Sequence, residues 1–143
     1  MDRYDKTINE IRKFNRFYTV SMGFLDSKYL DTDYSIAETR ILFELKVYGK
    51  CIQNKLVKTL HIDKSYLSRI INRFYKDEII EKNKSDEDKR ATYISLTEKG
   101  HTETEKLIKL TNIQIENKIN KLSFDECNKL CDAMDTIISI IGK

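Results

Sequence analysis

Proline and tryptophan are absent from this 143-residue chain, and glycine occurs only four times. That composition excludes collagen-like, proline-rich and most loop-rich all-β designs. Gly23, Gly49, Gly100 and Gly142 stand too far apart to form a phosphate-cradling loop. Cys51, Cys127 and Cys131 are odd in number and lack framework spacing, which suits reduced thiols better than a disulfide scaffold. No apolar run approaches the roughly eighteen residues that a membrane helix needs. Eight charged residues among the first twenty, from Asp2 to Arg16, leave no apolar core for a signal peptide. These absences predict a cytoplasmic protein with no membrane partner.

What is present is 40% hydrophobic, 34% charged and 10% aromatic residues, in a length that predicts one globular, mostly helical domain. The net charge of +3 hides an asymmetry. Residues 46–76 carry eight basic side chains (Lys46, Lys50, Lys55, Lys58, Lys64, Arg69, Arg73 and Lys76) against Asp63 alone, while the rest of the chain is net negative. A concentrated positive stretch is the footprint of a polyanion contact, most often nucleic-acid phosphate, although a solvated lysine-rich surface has the same composition.

The hydrophobic pattern supplies the frame for that charge. Ser35-Ile36-Ala37-Glu38 is a capping box, followed by Ala37, Ile41, Leu45 and Tyr48 at helical spacing and closed by Gly49. Ile52, Leu56 and Leu60 predict a short second helix that stops near His61-Ile62. Asp63 then caps a third, with Leu67, Ile70, Ile71 and Phe74 at i, i+3, i+4 and i+7. Two such helices separated by about three residues read as a helix-turn-helix. The period then changes: Ile79–Lys84 and Thr92–Leu96 read as strands flanking the polar tip Ser85–Arg90, a hairpin with a long loop. A helix-turn-helix followed by a hairpin is a winged helix.

The ends of the chain are helical again. A long helix from Thr97 carries Ile108, Ile115, Ile119 and Leu122. The capping box Ser123–Glu126 opens a last one with Leu130, Met134, Ile137, Ile138 and Ile141, and the segment from about Tyr4 to Leu30 carries Ile8, Ile11, Phe14, Phe17 and Tyr18. A small winged helix cannot bury three further amphipathic helices by itself, so a two-chain interface is expected over a monomer in which they pack on one another. The predicted fold class is mainly α with a small β-hairpin wing (α+β). It is a winged helix-turn-helix over residues 35–97 within a single domain 1–143, with 1–30 and 98–143 as dimerisation helices.

Two constellations carry the expected chemistry. Opposite the apolar set of the third helix stand Lys64, Ser65, Ser68, Arg69, Asn72, Arg73 and Lys76, with Ser65, Arg69, Asn72 and Lys76 on one stripe. Donors on such a helix reach base edges in a major groove about as wide as the helix, arginine pairing with guanine and hydroxyls with bases or phosphates. At the hairpin tip, Asp88 is placed to hold either the arginine or the loop in one geometry, while Lys84, Lys89 and Arg90 face a neighbouring minor groove. Asp86, Glu87 and Asp88 also fit a plain acidic surface turn.

Residues 35–100, through Leu67-Ser68-Arg69-Ile70-Ile71-Asn72-Arg73-Phe74, Asp86-Glu87-Asp88-Lys89-Arg90 and Leu96-Thr97-Glu98-Lys99-Gly100, resemble the MarR-type transcriptional regulators. The resemblance implies a dimeric DNA-binding protein with Arg90 in the minor groove, Asp88 orienting it, and Ser65, Ser68, Arg69 and Arg73 near DNA. Ile11–Tyr18 together with Tyr66–Arg69 are similar to the regulator half of proteins that fuse a MarR-type domain to a GNAT-type acetyltransferase, so the chain is either a free-standing relative or a fragment of one. The family often has glycine where His61 and Glu78 stand, at places where φ is often positive, and a smaller residue in place of Val57.

An enzyme is not expected. His61 in the turn and His101 on a polar helix start read as solvent-facing, and no acetyl-coenzyme A signature is visible. No cofactor or metal is expected. Cys127 and Cys131, at i and i+4, read as small core residues over a metal or oxidant site. The expected function is a sequence-specific homodimeric repressor that binds a pseudo-palindromic double-stranded DNA operator and responds to a small molecule or stress signal. Tyr18, Phe24, Tyr29, Tyr34 and Tyr48 would line the effector pocket or serve as core. The rival reading is a winged helix that binds protein, which would lack a basic recognition face.

Overall fold

The computed structural model describes residues 2–25, 28–88 and 90–143. The chain divides into two compact units, residues 1–108 and 109–143, with the boundary inside one long helix.

The first unit is built around α2 (Ile36–Tyr48), α3 (Gln53–Leu60) and α4 (Lys64–Lys76). The Ser35 capping box forms as the sequence predicts: Ser35 Oγ accepts from the Glu38 amide at 3.2 Å, and Glu38 Oε1 accepts from the Ser35 amide at 3.5 Å. Gly49 ends α2 at φ 74°. His61 ends α3 in the left-handed region at φ 50°, and Asp63 caps α4 by accepting from the Tyr66 amide at 2.9 Å.

The sheet has three strands, one more than the sequence reading supplied. β2 (Ile80–Lys84) and β3 (Thr92–Leu96) pair antiparallel from Ile80↔Leu96 to Lys84↔Thr92. β1 (Lys50–Ile52) joins the other side of β3 through Cys51↔Ile94, giving the order β1-β3-β2. Three residues are too few to show a period. Cys51, buried between exposed Lys50 and Ile52, is its only inward side chain. Burial pushes the Cys51 thiol pKa up.

Ile41, Leu42 and Leu45 of α2 meet Leu56 of α3, the Leu67–Ile70–Ile71–Phe74 face of α4, and Ile80, Ile94 and Leu96 of the sheet. Each is nearly or fully buried, and burying a side chain of this size contributes roughly 1.5–3 kcal/mol. This packing fixes α4 and the hairpin against the same core.

The N-terminal helix α1 covers Asp5–Ser21, so the continuous helical segment expected to Leu30 is shorter than predicted. Gly23 at φ 70° closes it: Gly23 N donates to Val20 O at 3.1 Å and Phe24 N to Thr19 O at 2.9 Å, the double bond of a Schellman ending. Tyr29–Asp31 then form a single 3-10 turn with Tyr29 buried. The helix α5 (Glu98–Ile119) runs out of the first unit, and the second contains α6 (Phe124–Ile141), opened by the Ser123–Glu126 capping box. No residue of α1 or α6 is buried within the single chain. Cys127 is therefore half-buried and Cys131 exposed, against the expectation of a core pair.

Among the described residues no helix is long and apolar enough to cross a membrane, and no group of three or more His, Cys, Asp or Glu side chains is placed to hold a metal ion.

Candidate nucleic-acid interface

The α4 helix owes its position to its buried face and its chemistry to the opposite one. Lys64, Ser65, Arg69, Asn72, Arg73 and Lys76 are exposed, and Ser68 is half-buried. Ser65, Arg69, Asn72 and Lys76 form the outward stripe that their spacing predicts. The Arg69 guanidinium lies 5.7 Å from the centre of the Tyr66 ring, one turn back, a contact that restrains a long side chain while leaving its donors outward.

Three of the expected site residues also make contacts within the fold. Ser68 Oγ accepts from Gln53 Nε2 at 2.7 Å, which ties the first turn of α3 to the middle of α4. Arg73 reaches back to Glu38 of α2, Nη2 to Oε2 at 2.5 Å, so the carboxylate that completes the capping box also anchors the C-terminal half of α4. Asn72 Oδ1 accepts from Lys82 Nζ of β2 at 3.2 Å, and the same ammonium lies 4.8 Å from the centre of the Tyr75 ring. Gln53 and Lys82 were not among the residues singled out in the sequence, and Glu38 entered only through its capping box. The partners of Gln53, Glu38 and Lys82 lie 15, 35 and 10 positions away, beyond any helical or strand period.

Lys84, Asp88 and Arg90 are exposed at the tip of the wing, and Lys89 lies outside the described residues. The tip is organised by short polar side chains. Ser85 Oγ accepts from the amides of Glu87 at 3.2 Å and Asp88 at 3.3 Å, and Ala91 N donates to Asp88 O at 3.0 Å. Asp88 Oδ1 accepts from the main-chain N–H of Arg90 at 3.0 Å. Of the two roles the sequence left open for Asp88, the structure shows the loop-holding one: it fixes the peptide that carries Arg90.

Behind this surface, Tyr34 has its phenol pushed up to about 12, chiefly by burial and then by the carboxylates of Glu103, Glu38 and Asp77. It packs edge-on against Phe74 with ring centres 6.2 Å apart. Tyr18, Phe24 and Tyr29 form a chain of ring contacts at 5.8 and 6.5 Å. Tyr34 and Tyr48 pack against the buried core, and the Tyr29 amide donates to the Tyr34 carbonyl at 3.0 Å. His61 and His101 are exposed.

The sequence model of the MarR family matches residues 34–92, which run from the start of α2 to the first residue of β3. No curated protein matches the chain in sequence. Among solved structures, a cysteine-to-serine mutant of MarR from E. coli complexed with operator DNA superposes with a TM-score of 0.74 at 21% identity, covering 96% of this chain and 99% of that one. BldR from Sulfolobus solfataricus gives 0.74 at 13% identity over 97% and 99%. Bordetella bronchiseptica BpsR, whose DNA binding is regulated by 6-hydroxynicotinic acid, gives 0.71 at 17% identity over 90% and 98%. The fold of this chain is thus the MarR-type winged helix, and the MarR sequence model covers its helix-turn-helix and the wing as far as the first residue of β3.

Proposed function

We propose that the chain is a sequence-specific, DNA-binding transcription regulator acting as a homodimer in the cytoplasm. In this reading it is one MarR-like domain, 1–143, with residues 35–97 reading DNA and the terminal segments 1–30 and 98–143 joining two copies. The observation that carries it is the pairing of two outward, donor-rich surfaces on one core: the capped face of α4, and a wing tip whose polar bonds hold the Arg90 peptide. Lys64, Ser65, Ser68, Arg69, Asn72 and Arg73 would enter or flank the major groove. Lys84, Lys89 and Arg90 would meet the adjacent minor groove, with Asp88 setting the loop. A MarR relative of the same fold complexed with operator DNA supports this arrangement.

The regulator acts as a repressor, releasing its operator when a small molecule reshapes the dimer. The regulation of BpsR's DNA binding by 6-hydroxynicotinic acid supports an effector of that general kind. The residues that resemble the regulator half of MarR–GNAT fusions lie in α1 and α4, and so serve DNA reading and assembly whether or not an acetyltransferase accompanies them.

Selection of duplexes from a random pool by the purified protein, near physiological salt, tests the reading. The expected product is an enriched inverted repeat with half-sites about one helical turn apart. Arg90→Ala should weaken binding to that repeat by roughly 1–3 kcal/mol. Unchanged affinity would remove the wing from the mechanism, and a pool without enrichment would remove sequence-specific reading altogether.

A further inference from the structure

Asn72 and Lys82 meet at the seam between α4 and β2. We propose that they act on DNA as one unit, in which Lys82 on the carbonyl of Asn72 makes that residue select guanine over adenine at one position of each half-site. This deepens the DNA-binding reading above and rests on it.

An ammonium carries three N–H donors and no lone pair. The Asn72 atom 3.2 Å from Lys82 Nζ is therefore the carbonyl oxygen, which leaves the NH2 group as the free end of the amide. Tyr75, also on α4, holds the ammonium in place with its ring centre at 4.8 Å. Asn72 itself is exposed, on the same stripe as Ser65 and Arg69.

An unassisted asparagine favours adenine, accepting from N6–H through its oxygen while donating to N7. Here that oxygen already faces a positive charge, and an approaching N6–H2 group would bring a second donor against the ammonium. One of the two lone pairs of that oxygen is taken and the other lies in the field of the ammonium, so the pair offers mainly N–H outward: the NH2 of Asn72 beside the remaining N–H groups of Lys82. Guanine presents two acceptors in the major groove, N7 and O6, and matches such an edge; adenine presents one acceptor and one donor, and does not.

The test is the random-duplex selection repeated with full-length Asn72→Ala, Lys82→Met and Lys82→Arg. Methionine keeps an unbranched stem beside Tyr75 and removes the charge, and arginine keeps a donor-only edge. The wild type should enrich guanine at the one position whose preference Asn72→Ala abolishes. Lys82→Met should turn that position towards adenine by about tenfold and leave the others as they were. Lys82→Arg should retain guanine. Adenine at that position in the wild type, a guanine preference unmoved by Lys82→Met, or an Asn72→Ala site identical to the wild type would each overturn the proposal. In all three cases an enriched operator survives, so the DNA-binding reading stands. Only a wild-type pool with no enriched site removes both.

Discussion

Gly100 lies in the first turn of α5, where the helix passes the main chain of Ile79. A Cβ on Gly100 would stand 2.0 Å from the Ile79 carbonyl oxygen. That oxygen cannot step aside, because it accepts from the Thr97 amide at 3.0 Å and the Thr97 hydroxyl at 3.1 Å. Gly100→Ala is therefore expected to destabilise the fold by about 1–3 kcal/mol, as overpacking of a tight contact does. Thermal unfolding at fixed protein concentration measures it, and an unchanged midpoint would contradict the close approach. Glu78, one residue before Ile79, is the converse case. It sits at φ 61° after the end of α4, with Ile79 N donating to Phe74 O at 2.8 Å and Glu78 N to Tyr75 O at 3.2 Å. A non-glycine residue in this conformation costs about 1–2 kcal/mol, against the roughly 0.5–1 kcal/mol of extra entropy that glycine loses on folding. Glu78→Gly should accordingly raise stability by about 0.5–1 kcal/mol in denaturant titration, and a loss would show that the Glu78 side chain stabilises the junction. The sequence pointed to both places through the family's glycine pattern, but the reason for Gly100 lies in a chain segment twenty-one residues upstream.

At the scale of elements, what could be read from the sequence is what neighbouring residues decide among themselves. Both capping boxes, the Asp63 cap and the buried face of α4 depend on spacings of three, four and seven, and all appear where the pattern puts them. Thr92–Leu96 was legible as a strand because a strand needs only a period of two, and its facing strand starts one residue later than Ile79. β1 was not legible, since three residues hold no period and its pairing with β3 is decided more than forty residues away. The end of α1 was overrun because Phe24, Leu25, Tyr29 and Leu30 continue an apolar spacing past Gly23, whose positive φ is the signal that stops the helix. The candidate site divides in the same way. Its exposed donors follow from the helical period and the basic stretch, whereas the bonds that orient them, Gln53 to Ser68, Glu38 to Arg73 and Lys82 to Asn72, join separate elements and follow from the packed core. The wing tip shows the middle case. Its polar composition announces a turn, and the Asp88-to-Arg90 bond is local, but whether the carboxylate takes the guanidinium or the peptide N–H is settled by the loop's conformation.

At the scale of the whole molecule, the proposed assembly rests on the apolar faces of the terminal helices. In α6, Ile138 and Ile141 are each 69% exposed and Phe124 81%, and Phe17 of α1 is 68% exposed. Leu130, Met134 and Ile137 are also exposed, at i, i+4 and i+7 along α6. Leaving an apolar stripe of this width in water is unfavourable, and in the proposed dimer a second copy of the chain would cover it with like surface under two-fold symmetry. The same symmetry would set two α4 helices against two half-sites and turn two weak contacts into one stronger one, because the second contact forms at high effective concentration. Sedimentation equilibrium of the wild type is expected to give twice the chain mass. Ile138→Glu, which places a charge in the stripe, should give the single-chain mass with its helical circular dichroism largely retained, since no residue of α6 is buried within one chain. Its affinity for an inverted repeat should fall by roughly a hundredfold, towards that of an isolated half-site. A wild type that sediments at the chain mass would refute the dimer. A dimeric Ile138→Glu protein with unchanged affinity would place the interface away from this face of α6.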